Sequence, residues 1–214
     1  MKLFHFSKPF AGLIKPSTRY VLATLGLLTC FSLLFYANWL HRVRRANNNF
    51  QSGQYEVALA DYRVAQQRIP SAIAALPGFR LPFRETLLKQ VQIFYLQRNF
   101  DRGLELLQGL TDHYAFLEAD PQYHQWYANV LFQHTLLQEE PDALLDGFYA
   151  TLREYQKALE LDPSNWDARY NYEFVKRILT DEERDGQQKL ELLIKEMREK
   201  RRRDEQQLPP DKRG

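Results

Sequence analysis

The side chains that most often carry catalysis or bind metals are few in this chain and are scattered along it. The histidines are His5, His41, His113, His124 and His134. None stands with a cysteine or a carboxylate at metal-ligand spacing, and neither H-E-x-x-H nor C-x-x-C occurs. Asp112-His113 lacks a nucleophile motif, and Glu139-Glu140 precedes Pro141, which indicates a helix end rather than an acid–base pair. We therefore expect no enzyme, no catalytic residue, no cofactor and no metal.

Composition and charge are those of an ordinary globular protein. Of the 214 residues, 26% are charged and 44% are hydrophobic, and the net charge is +2. This balance gives no argument for nucleic acid, because positive charge matters here only where it clusters. The single cysteine, Cys30, excludes an intramolecular disulfide and leaves the redox compartment open. We expect one soluble domain, residues 41–180, between two ends of different character.

Residues 20–40 have the length and composition of a membrane-spanning helix. These 21 residues, YVLATLGLLTCFSLLFYANWL, include no charge. At roughly 1.5 Å per residue they extend about 31 Å, which matches a hydrocarbon core of about 30 Å. A cleaved signal peptide would need a shorter apolar core and a small-residue cleavage site. A buried core helix is the other alternative, but basic clusters on both sides favour an uncleaved anchor.

The charges beside this span favour one orientation by a narrow margin. The tail, residues 1–19, carries four basic residues, and the segment after Leu40 carries three arginines close to the span. The positive-inside rule then leans toward a cytoplasmic N-terminus. In a bacterium, everything after residue 45 would be periplasmic.

The first part of the soluble domain shows a helix-pair pattern in GQYEVALADYRVAQQRIP. Gly53 ends one helix, and Ala58, Tyr62 and Ala65 recur at helical spacing before Pro70 ends the next. Small residues let two helix backbones approach, and proline stops a helix because it lacks an amide hydrogen. The preceding helix must occupy about residues 39–52, so we expect one continuous helix from the anchor into the domain.

The same pattern returns near the end of the domain in YQKALELDPSNWDARYNYEFV. Tyr155, Ala158 and Pro163 repeat the aromatic, small and exit positions. Asn165 can cap a further helix over residues 165–178. Its apolar face is predicted to comprise Trp166, Tyr170, Phe174 and Ile178. Both segments resemble the tetratricopeptide repeat (TPR), a helix–turn–helix unit of about 34 residues.

The middle of the domain fits this pattern less well. Predicted helices cover residues 84–97, 100–110 and 121–138, and the last carries Trp126, Val130 and Leu137 on one face. Gly103 and Thr151 stand where Ala58 stands in the first unit, at spacings wider than a regular repeat. Two inserted linkers, SAIAALPGFRLPF and QEEPDALLDG, are predicted to account for the difference. The number of true repeats stays open.

The C-terminal end is rich in charge. Acidic and basic residues alternate over residues 181–205 around the apolar stripe Leu190, Leu193, Ile194 and Met197, which predicts a charged capping helix. The neighbouring acids nearly neutralise the KRRR cluster, so nucleic acid or lipid binding there is disfavoured. Residues 206–214 are predicted to be disordered.

A resemblance to one group of TPR proteins suggests a role. The stretch DPSNWDARYNYEFV and the single-anchor plan resemble the TPR members of Bat and methanol-dehydrogenase accessory clusters, most closely the MxaK-type family. The resemblance implies a periplasmic maturation factor for an enzyme such as methanol dehydrogenase. The implied partners are von Willebrand factor A accessory proteins and a MoxR-type AAA+ ATPase. The alternatives are a general cell-envelope TPR scaffold for division, secretion or cytochrome maturation, and a cytoplasm-facing TPR adaptor.

The resemblance also suggests where a partner binds. TPR arrays hold extended peptides or helices on the concave face formed by the first helices of the pairs. Polar residues off the core stripe of those helices are the predicted partner-binding groove: Lys89, Gln92, Gln125, Asn129, Arg169 and Asn171. Lys89 and Arg169 are expected to be exposed. Such side chains can clamp a ligand backbone or carboxylate.

Overall fold

A computed structural model describes residues 16–185, 192, 194–199 and 202–203 of the chain. All regular secondary structure in these ranges is helical, which confirms the all-α prediction there. The helices are α1 Pro16–Gln51, α2 Tyr55–Gln67, α3 Ser71–Ala74, α4 Pro77–Leu96, α5 Phe100–His113, α6 Pro121–Thr135, α7 Pro141–Leu161 and α8 Trp166–Asp185, with a 3-10 turn at Ala115–Ala119. The predicted tail over residues 206–214, and residues 1–15 of the basic N-terminal tail, lie outside the described ranges.

Helix α1 is long and apolar enough to cross a membrane, as the sequence predicts. An 18-residue window of it has mean hydropathy 1.9, and none of that window is buried in the protein. The same helix then continues without interruption into the helical domain, where Trp39, Val43 and Ala46 are buried. The predicted continuity of the apolar stretch with the first domain helix is therefore confirmed.

Helices α1 and α2 form an antiparallel pair. The indole Nε1 of Trp39 donates to the carbonyl oxygen of Ala65 at 3.0 Å, whereas Arg45, six residues later, binds Asp61 through its Nε at 2.9 Å. Residues later in α1 thus contact residues earlier in α2, as in an antiparallel pair. The chain reverses at Gly53, whose φ of +74° lies in the left-handed region that favours glycine.

The segment predicted as the first linker is instead largely helical. It contains α3 and the first two turns of α4, in which Pro77 occupies the first turn and Pro82 lies inside the helix. Proline fits the first helical turn because the amide hydrogen is not needed there. Pro82 should free the carbonyl oxygen of Gly78, and this oxygen accepts a hydrogen bond from the Tyr36 hydroxyl at 3.1 Å. The Gly78 carbonyl oxygen, which loses its amide donor because residue 82 is proline, is therefore satisfied by a tertiary contact with α1.

Three further boundaries differ from prediction. The second predicted linker contains the start of α7, since Pro141 begins that helix and Leu144 is buried. Helix α6 ends at Thr135, so Leu137 lies beyond it and is exposed, although Val130 on the predicted face is buried. Helix α8 continues to Asp185, past the predicted domain boundary at residue 180.

Alternate helices run in the same direction. Phe79 of α4 contacts Tyr36 of α1 at a ring distance of 4.6 Å, and ten residues later the ammonium of Lys89 lies 4.4 Å from the Phe50 ring. Arg84 of α4 pairs with Asp120 before α6, and further along both helices Tyr95 contacts Trp126. Helices α1, α4 and α6 are therefore parallel. Helix α2 runs in the opposite direction to α1, and α5 runs opposite to α6, since Gly103 lies by Val130 and Leu107 by Tyr123.

Candidate functional site

The candidate site depends on the close packing of α6 against α7. Their contacts include Phe132 with Phe148 at 5.9 Å between ring centres and, one to two turns further, Asn129 with Tyr155. At one end Gly147 lies against Thr135, so closely that a Cβ on the glycine would meet the threonine Cβ at 2.9 Å. The absence of a side chain at Gly147 permits this approach and so sets the register of the two helices.

Asn129 is the centre of a hydrogen-bond network that joins three helices. Its Oδ1 accepts from the Tyr155 hydroxyl of α7 at 2.6 Å and from Asn171 Nδ2 of α8 at 3.2 Å. Burial raises the pKa of Tyr155 above its usual value, so this hydroxyl stays a donor. Within the described residues, the Nδ2 donor of Asn129 has no hydrogen bond. Two predicted groove residues, Asn129 and Asn171, are thus in direct contact.

A second polar contact extends this network toward the start of α6. Gln125 Oε1 accepts from Asn165 Nδ2 at 2.9 Å. The Oδ1 of the same asparagine accepts from the backbone amide of Ala168 at 3.0 Å, so the predicted cap of α8 is confirmed. Gln125 and Asn129 meet residues 165 and 171 in the same order, and therefore α6 and α8 are parallel. These half-buried amides form one polar row across the two helices.

Lys89 and Gln92 form a separate pair on α4. The Lys89 Nζ donates to Gln92 Oε1 at 2.9 Å and also lies over the Phe50 ring of α1. Lys89 is half-buried, so its expected exposure is wrong. The reason is its position between two parallel helices, where the aliphatic stem packs while the ammonium contacts the ring.

Arg169 is exposed as predicted, but its surroundings differ from the predicted ones. Its guanidinium lies 5.1 Å from the Trp166 ring centre and donates to the Pro163 carbonyl oxygen at 2.7 Å. Trp166 and Tyr170 expose 73% and 75% of their surfaces, so they are not part of a buried face. The buried face of α8 comprises Ala168, Val175, Ile178 and Leu179.

The predicted face of α8 is wrong for a steric reason. Ala168 is fully buried, so α8 turns its small residue toward the neighbouring helices, as a close helix crossing requires. Trp166 and Tyr170 then fall on the opposite side, and Phe174 lies at the edge, 6.0 Å from the Phe132 ring. Ile178 alone of the predicted four is buried.

A buried ionisable pair lies beside the polar row. His124 Nδ1 is 2.7 Å from Glu154 Oε2, and its Nε2 is 2.9 Å from the carbonyl oxygen of Glu118. The Glu154 carboxylate and the Glu118 carbonyl oxygen are both acceptors, so an imidazolium, which donates from both ring nitrogens, satisfies both contacts. Burial disfavours that cation, but the bonds to Glu154 and Glu118 outweigh burial and raise the pKa of His124.

The carboxylate of this pair is stabilised from two sides. Burial favours the neutral acid, but hydrogen bonds from His124 and Lys157 outweigh it and lower the pKa of Glu154. No spacing in the sequence indicates this pair, because its members are 30 residues apart. Only the register of α6 against α7 could reveal it.

The described residues contain no cluster of three or more histidine, cysteine or acidic side chains placed to hold a metal ion. No protein-family model matches the chain, and no curated protein is significantly similar to it. Proposals about function therefore start from the long apolar helix α1 and the polar row of α6 and α8.

Proposed function

We propose that this protein is a membrane-anchored scaffold whose soluble part is a short, irregular TPR-like array that binds another protein. The alternating helix directions support such an array. The buried small residues Ala58, Gly103 and Ala158 support it as well, since each lies on the second helix of a pair. The burial of Ile194 against the α6–α8 core supports a capping role for the C-terminal segment.

The observation that carries the proposal is the polar row formed by Gln125, Asn129 and Asn171. Hydrogen bonds between helices fix the oxygen atoms of Gln125 and Asn129. In the part of the chain that the structure describes, their amide nitrogens make no hydrogen bond and lie on half-buried side chains, so they can bind the carbonyl groups of an extended peptide without rearranging. Exposed Trp166 and Arg169 lie on the same helix as Asn171 and are of the residue types that contribute most to protein interfaces.

We further propose a maturation role for a periplasmic enzyme such as methanol dehydrogenase. The likeness of DPSNWDARYNYEFV to MxaK-type proteins supports this role and names the partner classes, von Willebrand factor A accessory proteins and a MoxR-type AAA+ ATPase. In that role this chain holds neither metal nor quinone and has no catalytic step of its own. The soluble domain would face the periplasm.

Charge reversal at Arg169 tests the binding face. Arg169→Glu should weaken capture of the partner from solubilised membranes. It replaces an exposed hydrogen-bond donor with a carboxylate, which repels the carbonyl oxygens of a bound peptide. Arg153→Glu is the matched control, since Arg153 is also exposed but lies on α7. Lys89 is unsuitable for this purpose, because it is half-buried and its contact with Phe50 joins α4 to α1, so reversal would be destabilising. The contacts of Arg169, with Trp166 and the Pro163 carbonyl oxygen, are local to the exposed start of α8.

Both variants should melt like the wild type. Quantitative mass spectrometry of the captured proteins then compares the three chains. If Arg169→Glu retains every partner at wild-type yield, or if Arg153→Glu loses the same partners, the binding face lies elsewhere.

A further inference from the structure

The start of α4 packs against the last turns of the apolar span of α1. Tyr36 lies four residues before Leu40, the end of the uncharged stretch, and hence about 6 Å inside it at roughly 1.5 Å per residue. Its hydroxyl donates to the Gly78 carbonyl oxygen at 3.1 Å, and its ring contacts Phe79. Trp39 contacts the same phenylalanine at 5.9 Å. The residues around Phe79 therefore lie level with the end of the span.

The segment that these contacts hold in place is uncharged and partly exposed. Residues 70–79, PSAIAALPGF, contain no ionisable side chain. Leu76 exposes 52% of its surface and Leu81 exposes 61%. Arg80, the first charged side chain after this segment, donates to the Phe116 carbonyl oxygen at 3.3 Å and lies over the Phe116 ring. Apolar side chains are thus presented beside the anchor while the nearest charge is turned onto the protein.

We propose that residues 71–81 form a second membrane contact, which lies in the interfacial layer of the bilayer beside α1. This inference depends on the proposed anchoring by α1. The occupant is lipid rather than a partner protein, because this surface is continuous with the apolar face of α1 at Tyr36. Interfacial segments bury apolar side chains about 5–10 Å into the boundary between headgroups and acyl chains. The depth of Tyr36 lies in that range.

The contact would fix how the soluble domain stands on the bilayer. Helix α4 starts at this surface and runs parallel to α1, away from the membrane. Leu96, at the other end of α4, is 15 residues beyond Leu81 and lies about 22 Å from it along the helix axis. It is also an exposed leucine, with 51% of its surface accessible. Leu81 and Leu96 are therefore similar in residue type and exposure and differ in their expected depth in the bilayer, so one can serve as the control for the other.

Fluorescence quenching by spin-labelled lipid tests the proposal on the full chain. The protein is reconstituted into phosphatidylcholine vesicles that contain nitroxide either at the headgroup or deep in the acyl chain. An NBD fluorophore is attached to Cys30 in the wild type, which is exposed and lies in the span, or to Leu81→Cys or Leu96→Cys in a Cys30→Ser background. Leu76→Cys serves as a second reporter if labelling at residue 81 changes the melting temperature.

We expect acyl-chain nitroxide to quench at residue 30, and headgroup nitroxide to quench several-fold more at residue 81 than at residue 96. Quenching at residue 30 with equal, weak quenching at residues 81 and 96 would overturn the second contact while leaving the anchor in place. No quenching at residue 30 would overturn the anchor, and with it both proposals.

Discussion

Three helical glycines provide a graded test of the packing that positions the candidate site. A Cβ at Gly147 would meet three atoms of Thr135: Oγ1, which is the nearest, Cγ2 at 2.6 Å and Cβ at 2.9 Å. Rotation of the threonine side chain moves Cγ2 but leaves Cβ in place, so α6 and α7 must separate to admit alanine. At Gly103 the nearest atom is Val130 Cγ1 at 3.0 Å, and at Gly109 no atom lies within 4 Å.

The expected stabilities follow from these distances. Alanine in place of glycine gains about 0.5–1 kcal/mol within a helix, and overpacking costs about 1–3 kcal/mol. Gly109→Ala should therefore raise the free energy of unfolding by about 0.5–1 kcal/mol, whereas Gly147→Ala should lower it by up to about 2 kcal/mol. Gly103→Ala should lie near zero, since a valine methyl can rotate.

The assay is urea unfolding of the full chain in detergent, followed by tryptophan fluorescence. Adding Thr135→Ala to Gly147→Ala removes two of the three close atoms, so the double variant should recover part of the loss. The order Gly109, Gly103, Gly147 is the prediction. Equal stability of Gly147→Ala and Gly109→Ala would refute the close α6–α7 approach and the register that brings Tyr155 to Asn129.

Three other predictions concern charge, packing and topology. The His124–Glu154 pair should stabilise the fold most between about pH 4.5 and 6.5. Its contribution is lost as pH rises through the raised pKa of His124 and as pH falls through the lowered pKa of Glu154. His124→Gln should remove this pH dependence of the melting temperature, and an unchanged profile would contradict the prediction. Ala158→Trp should cost about 1–3 kcal/mol, because Ala158 is fully buried, and an unaltered melting temperature would disprove the crossing position. Alkaline phosphatase fused after Gly214 should be active and β-galactosidase inactive, and the reverse pattern would place the domain in the cytoplasm.

Helices could be predicted where small or apolar residues repeat at helical spacing and nothing opposes them. They could not be predicted where a tertiary contact compensates for a residue that usually ends a helix. Ala58 and Ala65 repeat at helical spacing, and α2 forms as expected. Pro82 indicates a break in the helix, because it lacks an amide donor for the Gly78 carbonyl oxygen. The hydroxyl of Tyr36, more than 40 residues earlier, donates to that oxygen instead. A sequence read segment by segment cannot anticipate that partner, so the start of α4 was predicted as a linker.

The candidate site was predictable in residue type more than in arrangement. The sequence indicates Asn129 and Asn171 as polar residues on separate helices, and the structure brings them into contact. On α8, however, two apolar stripes compete for the interior. Aromatic size favours Trp166 and Tyr170, but close helix packing favours the stripe that begins with Ala168. The choice depends on the neighbouring helices, which the α8 sequence does not describe.

The continuity of α1 constrains where a partner can bind. Trp39 lies at the end of the uncharged stretch and Val43 and Ala46 follow it, and all three are buried in the domain, so within the described residues no flexible linker separates the apolar part of α1 from the domain. With the proposed anchoring, the parallel helices α4 and α6 lead away from the bilayer. The Arg84–Asp120 and Tyr95–Trp126 contacts then place Asn129 about 20–30 Å beyond the level of Phe79, at roughly 1.5 Å per residue. The partner segment in the polar row would therefore be held within about 30 Å of the membrane surface. Such a fixed height suits a scaffold that brings a soluble partner to other membrane-bound factors.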